Sequence, residues 1–324
     1  MVRPIELAIK FKKIIKIGFT VYGKLKLKYG QDAEFILIPG GIGDVYFWCK
    51  KYNSYFNDTT RKRILIVNKE VGIKVAKSFG VRYVEWIDYD KRIMMLQMNT
   101  FSGLVTVDIK MLGYVNAFYI DIYRAMEAVH GFSAADLFPI YSNTDFKEDT
   151  NAQYDPMTAE LESWFTSKGC IEGRTVLLTP YAVSVSLIEN EFWENLSVLL
   201  KSMNFAVITN IGGKKELPIR GTYGVSVPIN SLVPFANKCG YVIGVRSGIF
   251  DIMEQSSAKK IVLYPNISLE KRGLGHTSID SWTSFSINKW YSACNAFELK
   301  YVPHLNKYIL ECIMKYLEEC HVKR

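Results

Sequence analysis

Residues 240–265 read GYVIGVRSGIFDIMEQSSAKKIVLYP. Tyr241-Val242-Ile243 is an apolar run of the length a buried strand needs. Gly244-Val245-Arg246-Ser247-Gly248 interrupts it with two glycines and an arginine. Ile249 to Ser256 then suits a helix, and Ile261 to Tyr264, closed by Pro265, suits a second buried strand. Strand, turn, helix and strand form a βαβ unit with parallel strands. The turn also suits an anion. The helix N-terminus after Gly248 offers N–H groups and the positive end of a dipole, and Arg246 adds a planar fork of donors. An ordinary βα turn with Arg246 on the surface fits the same residues, so the neighbouring segments decide.

Upstream, the same rhythm repeats. Met157 to Ser167 is helical in pattern, Thr175 to Thr179 is a strand ending at Pro180, and Glu189 to Met203 is a helix with Phe192, Leu196, Leu199 and Leu200 on one face. Phe205 to Thr209 is a strand followed by the loop Asn210-Ile211-Gly212-Gly213-Lys214-Lys215-Glu216. Val225 to Val227 is short and extended, and Ser231 to Cys239 is a small helix. Strands and helices alternating in this way imply a parallel sheet covered on both faces. Ligands of such sheets bind beyond the carboxyl ends of the strands. Thr179, Tyr181, Asn210, Gly212, Gly213 and residues 245–248 are therefore expected around one crevice. Downstream, Leu305, Tyr308, Ile309, Cys312, Ile313, Tyr316, Leu317 and Cys320 recur at helical spacing, which predicts an amphipathic terminal helix with both cysteines on its buried stripe.

The first half holds a second α/β series. Glu34 to Ile38 is a strand, and Pro39-Gly40-Gly41-Ile42-Gly43-Asp44 follows at once. Three glycines in four residues permit close backbone approach. Val45 to Asn53 reads as a helix, so Asp44 stands where the loop becomes a helix, a position Asp takes as an N-cap. Neither a GxGxxG fingerprint nor a P-loop lysine is met. Strands over Arg63–Asn68 and Tyr83–Ile87, a helix over Lys69–Phe79, a strand over Leu104–Ile109 and a helix over Asn116–His130 continue the alternation. Residues 142–156, SNTDFKEDTNAQYDP, are polar and mark the boundary between domains. The expected division is a basic segment at 1–30, one domain at 31–150, a second at 157–300 and a returning helix at 301–324.

The chain has 324 residues and a net charge of +8. Residues 1–30 hold eight basic side chains against the single acid Glu6, a net +7, while the remainder carries 32 basic and 31 acidic groups, a net +1. Ile5 to Tyr29 spaces Leu7, Phe11, Ile14, Ile15, Tyr22, Leu25 and Tyr29 helically among lysines. Such a helix suits an anionic membrane surface, or it docks on the body and shows its lysines to water. Nucleic acid is a poorer partner, because the basic excess is confined to one end and lacks a recognition motif. Six scattered cysteines without CxxC, and four unpaired histidines, disfavour a zinc site and suit reduced thiols in a cytoplasm. No apolar run is long enough to span a bilayer, and lysines interrupt any secretory signal.

In order and content these parts resemble the heptosyltransferase family of bacterial glycosyltransferases. The resemblance rests on the early strand with GGIGD, and on LLTP, FWENLSVLLKSMNFAVITNIGGKKE and VPINSLVPFANKCGYVIGVRSGIFDIMEQSSAKKIVLYP. It covers roughly residues 34–60 and 174–265. It implies a GT-B architecture, two Rossmann-like α/β domains facing across a cleft, with surface polysaccharide or lipopolysaccharide synthesis as the setting. It also implies an acceptor on the first domain and a nucleotide-sugar donor on the second; with the basic segment at 1–30, the expected location is the cytoplasm, peripheral on the inner face of the membrane. By the resemblance Asp44 is the base, Gly40, Gly41 and Gly43 form the acceptor-side loop, and Arg246, Ser247 and Gly248 meet the diphosphate. Asp251 and Glu254, one turn into the next helix, are candidates for the ribose hydroxyls. The late loop departs from the family, which has an acidic residue, Ser/Thr, Gly and then histidine; Arg246-Ser247-Gly248 looks more like certain fucosyltransferases. The family's lysine after the second domain's first strand has no clear match among residues 181–191.

The chemistry this implies is a single displacement. A carboxylate takes the proton of an acceptor hydroxyl as it attacks the anomeric carbon, and fixed donors stabilise the departing diphosphate. The GT-B architecture that the resemblance implies generally needs no metal, so neither a metal nor a cofactor is expected and the nucleotide sugar is a substrate. If Asp44 is only a cap, Asp108 and Asp121 are the next candidates for the base. Other readings of the scaffold are a sugar-nucleotide epimerase, a pyruvyl transferase, or a non-catalytic membrane-surface protein.

Overall fold

A computed structural model describes residues 20–38, 40–87, 109–111, 150–182, 185–213, 215–268, 278–291 and 293–322. The expected helix over Asn116–His130, the alternative bases Asp108 and Asp121, and the segment before residue 20 lie outside these residues. Two compact units divide the chain. Among described residues the first takes 20–111 and 150–153, and the second 154–322.

The first unit opens with helix α1 over residues 20–29, then β1 (Glu34–Ile38), α2 (Ile42–Lys51), α3 (Asn53–Asn57), β2 (Arg63–Val67), α4 (Glu70–Ser78), β3 (Val84–Trp86) and β4 (Ile109–Met111). Its strands are parallel in the order β3-β2-β1-β4. Phe35 to Ile38 and all of β2 are buried, as central strands covered on both faces must be. Helix α1 turns Val21, Tyr22, Leu25 and Tyr29 onto this sheet, where Leu25 packs with Phe35, Leu37, Ile64 and Ile66. Burying a leucine in this way is worth about 1.5–3 kcal/mol. Lys28 and the Tyr29 hydroxyl fasten the helix to Glu85 of β3 at 2.7 and 2.5 Å. Over residues 20–29 the apolar stripe expected to face a membrane is therefore covered by protein, and Lys24, Leu27 and Lys28 face outward.

The second unit contains α5 (Ala159–Ser167), β5 (Thr175–Thr179), α6 (Asn190–Ser202), β6 (Ala206–Asn210), β7 (Tyr223–Val225), α7 (Leu232–Cys239), β8 (Gly240–Val245) and α8 (Gly248–Ile252). It continues with β9 (Lys259–Tyr264), a small β10–β11 hairpin (Ile267–Ser268 and Ser278–Ile279), α9 (Ser281–Phe285), α10 (Ile287–Trp290), β12 (Phe297–Lys300) and α11 (Asn306–Val322). Six parallel strands lie in the order β12-β9-β8-β5-β6-β7. Numbered within the unit, that is the 3-2-1-4-5-6 order of dinucleotide folds, with the direction of winding reversing between β5 and β8. The chain is thus an α/β protein of two Rossmann-like units, the components of the GT-B fold.

Helix α11 inserts Ile309, Ile313 and Leu317 into the core formed by Trp193, Leu196, Tyr241 and their neighbours. Leu305 and Tyr308, expected on that stripe, are exposed instead, because the apolar face begins only at Ile309. Cys312 is half-buried off the stripe, while Cys320 packs against its edge. The helix expected over Ile249–Ser256 is five residues of α-helix that tighten into a 3₁₀ turn at Met253–Gln255. Among the described residues no helix is long and apolar enough to cross a membrane.

Candidate functional site

In the first unit, β1 delivers the glycine loop to the start of α2. The N-cap is Gly41, not Asp44, which stands at the third helical position and turns back. Its Oδ2 accepts the Gly41 N–H at 2.6 Å, the returning half of a capping box. A Cβ on Gly40 would overlap the Asp44 carboxyl, so a larger residue there would push the carboxylate from its cap. Gly43 is buried, while Asp44 is only half-buried, so its carboxylate is both anchored and reachable.

In the second unit, the carboxyl ends of β5 and β8 lie side by side, with Thr179 in register with Gly244. A Cβ on Gly244 would overlap Thr179 Oγ1, so glycine makes room for that hydroxyl. Thr179 is 1% exposed. Neither its hydroxyl nor that of Ser247, three residues beyond Gly244, has a hydrogen-bond partner among the described residues. Most buried polar atoms are paired. Both hydroxyls stand at the carboxyl ends of β5 and β8, where the winding reverses and where sheets of this kind bind ligands.

Arg246 departs from expectation. Its side chain is 7% exposed and faces a 3% exposed Asp251. Nη1 and Nη2 donate to the two Asp251 oxygens at 2.8 and 2.7 Å, Nε donates to the Phe285 carbonyl at 2.8 Å, and Nη1 also donates to the Ser247 carbonyl at 2.8 Å. The guanidinium carbon lies 5.6 Å from the centre of the Trp290 ring. Burial works against its charge, but Asp251 outweighs that and raises its pKa above the ordinary arginine value. An arginine so committed is a strut in the core, not an open fork for a diphosphate. Asp251 is equally spent, so it does not fit the ribose role expected of it. Glu254 is buried in the 3₁₀ turn, 5% exposed, and is no better placed for a sugar hydroxyl.

The remaining expected residues sit at the same sheet edge but are internally engaged. The Tyr181 hydroxyl donates to the Leu217 carbonyl. Asn210 Oδ1 accepts the Val227 N–H at 3.5 Å. The amides of Gly212 and Gly213 both donate to Glu216 Oε2, at 2.6 and 3.0 Å, so the loop's own glutamate holds the place expected for an anion.

Sequence reasoning missed the stretch that surrounds Arg246. Ser286, Asn288 and the Tyr264 hydroxyl converge on the Glu298 carboxylate of β12, with the Ile287 N–H at 2.7 Å. Burial pushes the Tyr264 and Tyr291 hydroxyls well above the usual tyrosine pKa, keeping both neutral. A signal existed in the alternating pattern of Phe297-Glu298-Leu299-Lys300, that of a half-buried edge strand.

No protein-family model and no curated protein matches the chain. Solved structures do. A family 9 glycosyl transferase from Veillonella parvula superposes with a TM-score of 0.51 at 12% identity, covering 88% of this chain and 89% of that one. The glycosyltransferase TibC of enterotoxigenic E. coli gives 0.47 at 12% identity, over 72% of this chain and 58% of its own. The E. coli heptosyltransferase WaaC with ADP gives 0.44 at 11% identity, over 89% and 99%. The Veillonella likeness extends over nearly the whole of both chains, and at this identity it establishes a shared fold.

Proposed function

We propose that this chain is a glycosyltransferase that moves a sugar from a nucleoside-diphosphate sugar to a hydroxyl of a surface-glycan or lipid-linked acceptor. The observation that carries the reading is the reversal point between β5 and β8, where Thr179 and Ser247 hold unpartnered hydroxyls at the carboxyl edge of a dinucleotide-type sheet. A diphosphate supplies the acceptor oxygens those hydroxyls lack. The likeness in fold to a family 9 glycosyl transferase, and the ADP named with WaaC, agree with a nucleotide-sugar donor.

Asp44 is the base of this reaction. Its carboxylate takes the proton of the acceptor hydroxyl as that oxygen attacks the anomeric carbon, and the diphosphate leaves with its electron pair. One displacement from the face opposite the leaving group inverts the anomeric centre. Hydroxyl and backbone donors, fixed before the reaction, meet the charge that gathers on the diphosphate, and no metal is assigned to that step. The protein works at the inner membrane face, with its basic first residues among anionic headgroups.

Melting the protein with ADP, GDP, UDP and CDP in turn tests the donor site. At about 100 times its Kd, a bound nucleotide stabilises by about 2.7 kcal/mol, a rise of several degrees for a chain of this size. A melting temperature unmoved by all four overturns the nucleotide-sugar reading.

A further inference from the structure

We infer that Arg246 is a positioning residue: it sets the orientation of the Ser247–Gly248 peptide for an anionic ligand and does not touch that ligand. The inference rests on the donor site proposed above, and reverses the contact role that its sequence position suggests. The Ser247 carbonyl accepts from Arg246 Nη1 at 2.8 Å and from the Phe250 N–H at 2.9 Å. A peptide is planar and trans, so its N–H points opposite to its C=O. With the Ser247 carbonyl drawn inward to the guanidinium, the Gly248 N–H is directed away from it.

Rotating that peptide by half a turn would present the carbonyl oxygen where the N–H stands. A carbonyl repels a phosphate. Ser247 is extended, at φ −153° and ψ 170°, and its neighbour is a glycine, the residue that least resists such rotation. Together the Phe250 N–H and Arg246 lock the carbonyl, and Arg246 is the contact that comes from outside the helix. Asp251 holds the guanidinium bidentately, the Phe285 carbonyl fixes Nε, and the Trp290 ring lies beneath. Four contacts orient one side chain, and that side chain orients one peptide. Because the pair is neutral as a whole, it adds orientation and not attraction.

The discriminating variants are Arg246→Lys, Asp251→Asn and the paired Arg246→Met/Asp251→Leu. The paired change removes both charges together, which a core tolerates far better than losing one partner. Affinity for ADP, GDP, UDP and CDP is measured by calorimetry beside the matching nucleosides. In a ¹⁵N-labelled sample the Gly248 amide resonance reports the peptide itself, without ligand.

The lock predicts a tenfold or greater loss of diphosphate affinity in all three variants, unchanged nucleoside affinity, and a shifted or broadened Gly248 signal. If Arg246 instead contacts the ligand, Asp251→Asn frees it, and diphosphate binding tightens or holds; that result overturns the inference. Parental diphosphate affinity in the paired variant overturns it equally. Should the paired variant not fold, Arg246→Lys carries the same reading, since a lysine cannot serve three acceptors in the guanidinium's geometry. Should no diphosphate bind the parent protein, the donor-site reading fails, while a Gly248 resonance unmoved by Arg246→Lys separately sinks the lock.

Discussion

The proposed reaction gives the capping carboxylate of Asp44 a second role, and side-chain chemistry separates the two. Its Oδ2 holds the Gly41 N–H at the start of α2, and the proposed reaction also needs it to take a proton. Asparagine keeps an acceptor oxygen for Gly41 but has no useful basicity. Asp44→Asn is therefore expected to melt close to the parent and bind nucleoside diphosphate as the parent does, with turnover lower by about 10²–10⁴. Asp44→Ala loses the acceptor as well, and costs about 1 kcal/mol of stability in addition. Near-parental turnover by Asp44→Asn with a competent acceptor would remove the base from this position. Sequence placed Asp44 in the right loop and one helical role away from its own, because the local pattern of a cap and of a third-position carboxylate differ only in where the first turn begins.

Among the elements, α11 is the most directly testable. Leu317 is fully buried against the second unit's sheet, while Tyr308 on the same helix is 63% exposed. Leu317→Ala is expected to cost about 2–5 kcal/mol, and Tyr308→Ala no more than about 0.5 kcal/mol, as read from urea denaturation. Equal midpoints for the two would place α11 outside the core. The central strands were legible to within a residue or two, since a parallel strand covered on both faces must be an unbroken apolar run. What sequence did not give was the stretch after Pro265. Helices α9 and α10 span only five and four residues, and are started by Asp280 and Ser286 caps that also serve ordinary turns. Arg246 was misread for the same physical reason. Its acidic partner lies five residues on, and the Phe285 carbonyl lies 39 residues away. Only the assembled sheet brings them together.

At the scale of the whole molecule, the docking of α1 changes where membrane attachment is to be sought. Removing residues 1–30 would strip Leu25 from the core and uncover Phe35 and Ile64. Removing residues 1–19 leaves α1 in place and takes away Arg3, Lys10, Lys12, Lys13 and Lys16. The shortened protein is expected to melt like the parent but to stay in solution when anionic vesicles are spun down. The intact protein should leave them as salt rises, since surface charges are screened beyond about 10 Å at 0.1 M. Sedimentation that survives the truncation would move the attachment elsewhere. The strand order of the second unit carries a different consequence, for the order of synthesis. On the ribosome β5 emerges first, and it lies in the middle. Thereafter β6 is laid beside β5, β7 beside β6, β8 on the other flank of β5, β9 beside β8 and β12 beside β9. Every strand of this sheet after β5 is born next to a neighbour that already exists, so the nascent sheet grows outward from β5. Only α11, which follows every strand of the sheet in the chain, closes it.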